Sequence, residues 1–389
     1  MPKVVLKPGK EKAVLKKHPW IFSGAIESLP PIEPGEILPI FSHTGVCLAQ
    51  GYFHPSNSLA GRILCFSEAP IPEVLKKKFE SSLALRKTFI DPAQTDCYRL
   101  IHAEADGIPG LIVDLYGNVA VIQINTWGIE RLRPLIRQIL IDLIQPKAIY
   151  EKSTSNARRL EGLPDAQGFL YGSCDDEISV KENGIRFCIS LEKGQKTGFF
   201  LDQREMRRMV GSLSAGKKVL NCFSYSGGFS LYALKGGASH VVSVDVSQEA
   251  LRLAALNTKL NGFDTSCHEI IQADVFEFLR SSSLDSDLII LDPPAFAKKK
   301  GDVIAACAGY KEINRLAMQQ MAPHSLLLTC SCSHFISEAL FQNVVFQAAM
   351  EAGREVQILA RHHLALDHPI NLAHPEGEYL KSLLLYIVG

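Results

Sequence analysis

The stretch KVLNCFSYSGGF, residues 218–229, decides the fold. It opens with a strand-length run that ends at Asn221, continues through a turn rich in serine and glycine, and enters a helix near Phe229. Gly227 and Gly228 lack a Cβ, so the main chain can approach a ligand closely, and the start of the helix presents free N–H groups. A strand, a turn and a helix in this order predict the ligand-binding edge of a doubly wound α/β sheet.

Two acidic residues stand at the ends of the next two predicted strands, Asp245 after VVSV and Asp274 after the apolar pair Ile270-Ile271. We expect the Asp245 carboxylate to accept both hydroxyl groups of a ribose and Asp274 to meet the edge of an adenine. Together with the turn, these positions predict an adenosine site. The residues predicted to line it are Phe199, Gln203, Asn221, Ser224, Tyr225, Gly227, Gly228, Asp245, Val246, Asp274, Val275, Asp292 and Pro293.

The kind of ligand follows from the spacing of the turn. A dinucleotide site uses G-x-G-x-x-G and a P-loop uses a lysine, and residues 218–229 contain neither pattern. A ligand without phosphate suits this looser turn, and S-adenosylmethionine is such a ligand. Phe199 or Phe200 is expected to face its adenine or its sulfonium, a contact worth about 0.5 to 2 kcal/mol, although both could instead be core residues. The glycine pair alone would also fit a tight turn in another doubly wound sheet.

The composition is that of an ordinary globular protein, with 389 residues, 47% of them hydrophobic and 21% charged. This length predicts two or three domains. The formal net charge is zero, so a polyanion must be met by a local patch. No apolar run reaches the roughly 20 residues of a membrane helix and no signal peptide is recognised, so we expect a cytoplasmic protein without membrane contact. The 10 cysteines include no C-x-x-C pair, and we expect neither a metal site nor disulfides.

Three segments of the chain differ in pattern. Residues 1–70 alternate short apolar runs with Gly and Pro turns, which predicts a small β-rich domain. Residues 71–190 begin with a linker helix and continue as a small central α/β domain, with a hairpin at Asn183-Gly184. Residues 191–389 alternate strands and helices, which predicts parallel βαβ units in a Rossmann-like sheet that ends in an antiparallel edge hairpin. The predicted fold class is therefore α/β.

Lysines cluster near the N-terminus, just ahead of the aromatic stretch HPWIF at residues 18–22. Lys10, Lys16 and Lys17 are predicted to contact RNA phosphates, and Trp20 is predicted to stack on a base. The alternative for Trp20 is a core position behind a solvated helix.

The predicted chemistry lies at the turn Asp292-Pro293-Pro294 and at Cys332, each at the end of a buried strand. Neighbouring parallel strands end at one edge, so we expect the two to be adjacent. C5 of cytosine takes a methyl group only after a nucleophile adds at C6, and a thiolate does this well. Cys332 is the predicted nucleophile, Asp292 is predicted to hold the N3 side of the ring, and Cys330 is expected to support them. The alternative is that Cys332 is a small buried hydrophobe.

The chain resembles the bacterial large-subunit ribosomal RNA cytosine-C5 methyltransferases of the RlmI type. The resemblance rests on the motifs KTGFFLDQR (196–204), NCFSYSGGF (221–229), DVSQEAL (245–251), DPPAF (292–296), SCS (331–333) and PEG (375–377). It implies a PUA domain, a small central domain and a C-terminal class I methyltransferase domain, with S-adenosylmethionine as donor, 23S ribosomal RNA as acceptor and Cys332 as the attacking thiol. Asn221 departs from methyltransferases in general, since an acidic residue often ends the first strand.

Two other functions stay open at this point. Asp-Pro-Pro-x-Phe turns also occur in enzymes that methylate guanine in ribosomal RNA without a cysteine, and a PUA-type RNA-binding protein could assist ribosome assembly without catalysis. In either methylation reading, the target base must be flipped out or single-stranded to reach the site. A homodimer is compatible with the sequence, which does not determine the oligomeric state.

Overall fold

The computed structural model describes residues 2–282 and 285–388. The chain forms two compact units, each described by itself below. The first comprises Met1–Lys181, Ile189–Leu201 and Leu366–Gly377, and the second comprises Glu182–Cys188, Asp202–Ala365 and Glu378–Gly389. The domain boundaries expected near residues 70 and 190 stay predictions.

The N-terminal part of the first unit is a six-stranded sheet. Its elements are β1 (Val4–Leu6), α1 (Lys12–Leu15), β2 (Trp20–Phe22), β3 (Ile26–Ser28), β4 (Glu36–Phe41), β5 (Cys47–Phe53) and β6 (Leu59–Cys65). The strand order is β2-β6-β5-β4-β1-β3. Side chains on one face, such as Ile40 and Phe53, are fully buried, because successive residues of a strand point to opposite faces.

A five-stranded sheet forms the rest of the first unit. Its elements are α2 (Ile71–Lys87), β7 (Cys97–His102), β8 (Leu111–Tyr116), β9 (Val119–Ile124), α3 (Trp127–Ile144), β10 (Ala148–Ser153), α4 (Asn156–Leu160) and β11 (Ala166–Gly172). The order is β11-β10-β9-β8-β7. β9 and β10 are parallel, and helix α3 makes the crossover that parallel neighbours require.

A β-hairpin follows, formed by β12 (Glu177–Glu182) and β13 (Ile185–Ser190). Its two turn residues, Asn183 and Gly184, have φ angles of 48° and 75°. Two left-handed residues in succession are what a type I′ hairpin turn requires, so the hairpin predicted at Asn-Gly is confirmed.

A seven-stranded sheet is the centre of the second unit. Its elements are α5 (Arg204–Leu213), β14 (Lys218–Cys222), α6 (Gly228–Lys235), β15 (His240–Asp245), α7 (Gln248–Leu260), β16 (His268–Gln272), α8 (Val275–Ser281), β17 (Leu288–Leu291), α9 (Val303–Gln320), β18 (Leu326–Ser331), α10 (Glu338–Glu351), β19 (Val356–His362) and β20 (Lys381–Ile387). The order is β16-β15-β14-β17-β18-β20-β19. β14 to β18 are parallel, whereas β20 is antiparallel to both of its neighbours. The predicted α/β class with an antiparallel edge hairpin is confirmed.

The strand order reverses at β14, which has β15 on one side and β17 on the other. Ligands of open α/β sheets bind in the crevice at such a switch point, outside the carboxyl ends of the strands. β17 and β18 are buried along their whole length, as expected for strands that carry hydrophobic packing on both faces.

The sequence pattern predicts a helix from about Tyr310 to Met321, whereas helix α9 begins at Val303. Gly309 interrupts the helical pattern in the sequence. An added Cβ at Gly309 would lie 3.1 Å from the ring of Phe296, so the glycine lets the helix and this ring pack closely.

Candidate active site

The turn after β14 has an uncommon backbone conformation. Phe223, Tyr225 and Gly227 have positive φ angles of 59°, 47° and 81°. A non-glycine residue in this region costs about 1 kcal/mol or more. Main-chain hydrogen bonds hold the turn, since Ser224 N–H donates to Val244 O at 3.0 Å and Gly227 N–H donates to Ser224 O at 2.9 Å. The turn is therefore preformed at the switch point.

Gly227 is also the N-cap of α6, and Gly228 is the first residue of that helix. A Cβ on Gly227 would lie 3.1 Å from the Cβ of Ala254 in α7. The positive φ and the close helix therefore both favour glycine. The first N–H groups of α6 have no carbonyl partner within the helix and face the carboxyl edge of the sheet.

Asp245, at the end of β15, connects this turn to the next one. One carboxylate oxygen accepts from Tyr225 N–H and the other from Ser247 N–H, each at 2.9 Å. A carboxylate oxygen has two lone pairs, so Asp245 keeps acceptor capacity for a pair of hydroxyl groups. The side chain of Val246 is 61% exposed and gives the edge an apolar surface beside this carboxylate.

Three buried oxygen atoms of β14 and its turn have no hydrogen-bond partner among the described residues, namely Asn221 Oδ1, Ser224 Oγ and Ser226 Oγ. Asn221 donates through Nδ2 to Ser230 Oγ at 2.8 Å, so the unmatched side of its amide is the acceptor. A buried polar group without a partner costs about 1–3 kcal/mol. A ligand with an ammonium and a carboxylate would satisfy these atoms, and the set therefore fits the amino-acid end of S-adenosylmethionine.

Asp292 follows β17 and is bonded to a side chain from α5's N-terminal turn. Gln203 Nε2 donates to Asp292 Oδ1 at 2.8 Å. Gln203 is only 3% exposed, and its Oε1 lies buried with no partner within residues 2–282 and 285–388. The Gln203 side chain thereby fixes the direction of the Asp292 carboxyl group, and its Oε1 remains as a hydrogen-bond acceptor beside it.

Cys332 lies just past β18, beside the Asp-Pro-Pro turn. The parallel pairing of Leu291 with Thr329 brings the two strand ends together, and Cys332 Sγ donates to Pro293 O at 3.8 Å. Cys332 is half-buried, whereas Cys330 is fully buried. Burial and then the charge of nearby Asp292 raise the pKa of the Cys330 thiol well above its ordinary value.

Lys381 is a further residue of this edge that the sequence analysis missed. It is 5% exposed, and its Nζ donates to Ser333 O at 2.7 Å. Burial lowers the pKa of Lys381 to about 8, although the charge of Cys332 acts in the opposite direction. The hydroxyl oxygens of Tyr310 and Ser333 lie 2.9 Å apart. No local motif marks Lys381, because β20 comes much later in the chain and reaches β18 only through sheet pairing.

Asp274 and Val275 are predicted to line the donor site, and each also has a structural role. Asp274 Oδ1 accepts from Phe276 N–H at 2.9 Å and from Glu277 N–H at 3.1 Å, which makes Asp274 the N-cap of α8. The side chain of Val275 is 1% exposed and packs in the core with Leu279. The buried side chain leaves the main chain of Val275 for the predicted ligand contact, which stays a prediction.

Phe199 belongs to the first unit, where it is 3% exposed. Its N–H donates to the hydroxyl of Tyr116 at 3.1 Å, and that hydroxyl lies 2.8 Å from Thr197 Oγ1. Phe200 is half-buried, and the ammonium of Lys196 lies 4.5 Å from its ring centroid. The sequence leaves two alternatives for Phe199, a core residue or a contact with the donor. Within this unit Phe199 has the position of a core residue, and its contact with the donor stays a prediction.

The N-terminal lysines of the first unit are exposed, as a phosphate-binding role requires. Lys10, Lys16 and Lys17 all lie on the surface, with the Lys17 ammonium 4.7 Å from the ring of Phe66. Trp20 is half-buried instead. Its Nε1 donates to Glu104 Oε1 at 2.9 Å, and its ring meets that of His374 edge-on at 4.3 Å. These contacts hold the indole ring of Trp20 within the unit. The exposed lysines therefore fit the predicted RNA-binding patch better than Trp20 does.

Comparison with known proteins places the chain in a family. Residues 152–359 match the family model of the S-adenosylmethionine-dependent methyltransferases, and residues 4–66 match a PUA-like domain. The chain is 42% identical to ribosomal RNA large subunit methyltransferase I of Aeromonas salmonicida, over 98% of each chain. It is 41% identical to the protein of the same name from Aliivibrio fischeri, over 99% of each chain. The chain belongs to the ribosomal RNA large subunit methyltransferase I family.

A solved structure supports this family assignment at the level of the fold and the cofactor. It is described as a methyltransferase complexed with SAH, and it is 25% identical with a TM-score of 0.86 over 100% of both chains. SAH is S-adenosylhomocysteine, the donor after loss of its methyl group. S-adenosylmethionine is accordingly the cofactor of this methyltransferase, as the turn after β14 predicted.

Two negative findings concern the part of the chain that the structure describes. Within residues 2–282 and 285–388, no helix has the length and apolar character to cross a membrane. Among the same residues, no cluster of His, Cys, Asp or Glu is arranged to hold a metal ion.

Proposed function

We propose that the protein methylates C5 of a cytosine in 23S ribosomal RNA, with Cys332 as the nucleophile. The observation that carries the proposal is the position of the Cys332 thiol, half-buried and 3.8 Å from Pro293 O, at the strand end next to Asp292. A thiol at this edge serves carbon methylation, which needs covalent activation of the ring, and serves no purpose in methylation of an amine. Family membership supports ribosomal RNA as the acceptor.

Cys332 and Asp292 divide the work on the cytosine ring. The Cys332 thiolate adds its electron pair to C6, and the ring electrons move toward N3, where a proton shared with the Asp292 carboxyl group offsets the added charge. The methyl group that C5 receives comes from the sulfonium of S-adenosylmethionine. Water then takes the C5 proton as a base, the C5–H electron pair restores the C5=C6 double bond, and the C6–S bond breaks with its electron pair on sulfur, which regenerates the Cys332 thiolate. The hydrogen bond from Gln203 keeps Asp292 oriented through these steps.

The donor is proposed to lie along the ends of β14, β15 and β17. Asp245 would accept the ribose hydroxyls, and Val246 would contact the adenine. Asn221 Oδ1 would accept from the ammonium group, a task for which its unpaired acceptor is suited. The remaining donor contacts are proposed for Phe199, Gln203, Ser224, Tyr225, Gly227, Gly228, Asp274, Val275, Asp292 and Pro293.

RNA binding is proposed for the PUA-like part of the chain, residues 4–66. Exposed lysines there suit the phosphates of a polyanion, and the target cytosine would be flipped out of its stack to reach Cys332. Ribosomal RNA is made and modified in the cytoplasm of bacteria, so the cytoplasm is the proposed location. A homodimer stays a prediction that sedimentation of the full chain would measure.

The deciding experiment incubates the protein with labelled donor and unmodified 23S ribosomal RNA and then analyses the nucleosides. We expect 5-methylcytosine with the wild-type chain and a fall to background with Cys332→Ser, because a hydroxyl is a far weaker nucleophile than a thiolate. Cys330→Ser, two residues earlier and within β18, is the matched control and should retain product.

Three outcomes would contradict the proposal. Unchanged 5-methylcytosine in Cys332→Ser would exclude that thiol as the nucleophile. A methylated guanine that persists in this variant would establish the guanine alternative. Binding of the donor and of RNA without any methyl transfer would support a role in ribosome assembly.

A further inference from the structure

Lys381 approaches the proposed nucleophile from the antiparallel strand β20. It pairs with Ser331 across the β18–β20 ladder, one residue before Cys332. Its Nζ donates to Ser333 O at 2.7 Å, one residue after Cys332. The ammonium is therefore held against the main chain one residue after the thiol, and the 5% exposure of Lys381 leaves it little contact with solvent.

Acidic and neutral groups lie on this edge as well. Tyr310 from α9 and Cys330 from β18 interact with Cys332, and the charges of Asp292 and Asp202 act on Cys330. Glu378 and Glu338 act on Lys381. Each anion among them disfavours a negative sulfur. Lys381 brings a positive charge to this set.

A buried lysine and a half-buried thiol at neighbouring positions stabilise each other in matching charge states. An isolated ammonium or an isolated thiolate is costly away from water, whereas the pair can be charged together or neutral together. The two forms differ by one proton transfer, in which the S–H bond breaks, an N–H bond forms, and the electron pair stays on sulfur.

We propose that Lys381 is the positioning residue whose positive charge holds the sulfur of Cys332 as the thiolate. This deepens the proposed function, on which it rests in taking Cys332 as the nucleophile. A purely structural role is the competing account: the hydrogen bond to Ser333 O would then serve only to fix the register of β18 and β20. The two accounts differ in what a neutral hydrogen-bond donor at position 381 would do.

The test measures the rate at which iodoacetamide alkylates Cys332 as a function of pH, in the full-length protein without RNA. Cleavage after Arg315 and Arg354 leaves Cys330 and Cys332 in one peptide, so fragment ions assign the modified sulfur. In the wild type, the inflection should lie at least about one unit below the ordinary thiol pKa of about 8.5.

Lys381→Gln keeps an N–H donor for Ser333 O and removes the charge. We expect its inflection to rise by about one unit or more and its alkylation at pH 7 to slow about tenfold. Lys381→Arg should restore an inflection close to that of the wild type. Lys218→Gln is the control. Lys218 begins β14 and therefore lies at the amino ends of the parallel strands, whereas Cys332 lies at their carboxyl ends, so the alkylation of Cys332 should not change.

A wild-type inflection at or above the ordinary thiol value would overturn the proposal, and this measurement needs no variant to fold. An unchanged inflection in folded Lys381→Gln would overturn it as well and leave the structural role. Methyl transfer plays no part in this experiment. A shifted thiol in a protein that forms no 5-methylcytosine would therefore contradict the proposed function alone.

Discussion

At the scale of single residues, Asp245 makes the clearest prediction for donor binding. Asp245→Asn replaces one carboxylate oxygen by an NH₂ group, which would face the N–H of Tyr225 or of Ser247. It also removes charge-assisted hydrogen bonds, which are worth about 1.5–3 kcal/mol. We expect the affinity for S-adenosylmethionine to fall about 10- to 100-fold, measured by titration calorimetry.

Asp274→Asn is the matched comparison for this change, because Asp274 is also proposed to contact the donor. Asparagine is as good an N-cap as aspartate, so α8 should keep its cap and the protein its stability. A loss of affinity within about twofold is expected if capping is the main task of Asp274. A loss as large as that of Asp245→Asn would show that both carboxylates bind the donor.

Among the elements, β15, β16 and α7 are joined by one buried histidine. The two ring nitrogens of His268 lie 2.7 Å from Ser243 Oγ on β15 and 2.7 Å from Thr258 Oγ1 on α7. Burial, followed by the charge of His240, lowers the pKa of His268 to about 4. The folded state therefore prefers the neutral ring.

Because the folded pKa lies below the unfolded value of about 6.5, the unfolded chain binds more protons between the two. The stability that neutral His268 contributes is complete above pH 6.5 and is lost as the pH falls toward 4, by about 3 kcal/mol in all. His268→Gln should reduce the slope of unfolding free energy against pH in this window, measured by urea denaturation. His43→Gln, at an exposed turn, is the control; equal slopes in all three proteins would contradict the prediction.

At the scale of the whole molecule, a formal net charge of zero leaves RNA binding to local patches. Replacing Lys10, Lys16 and Lys17 together by glutamine should weaken binding of 23S ribosomal RNA. It should also reduce the slope of log affinity against log salt by about 2, since each phosphate contact with a single strand contributes about 0.7. Filter binding at several salt concentrations measures both quantities.

The control replaces three exposed lysines of α2, Lys76, Lys77 and Lys87, by glutamine. Both triple variants remove the same charge from the same unit, so any difference between them reports position. Equal salt slopes in the two variants would mean that the N-terminal lysines make no particular contact with phosphate.

Local sequence patterns explain which parts of the fold and of the candidate site could be predicted. The alternation of strands and helices gave the α/β class, and Asn183-Gly184 gave its hairpin, because period and turn chemistry act between near neighbours. The sequence pattern predicts the start of α9 too late, because Gly309 resembles a helix breaker and only the packing shows the ring of Phe296 against it. Val275 follows a predicted acidic strand end, and only packing reveals that its side chain points into the core.

The sequence by itself determined the strand–turn–helix at residues 218–229, the acidic ends of the strands beside it and the family motifs that name the chemistry. All of these are local in the chain. The tertiary structure alone decided that Gln203 bonds to Asp292 and that Lys381 bonds to Ser333, the residue after Cys332. Those pairs depend on the order of strands, with β20 inserted antiparallel between β18 and β19, and hydrophobic burial of the whole sheet sets that order.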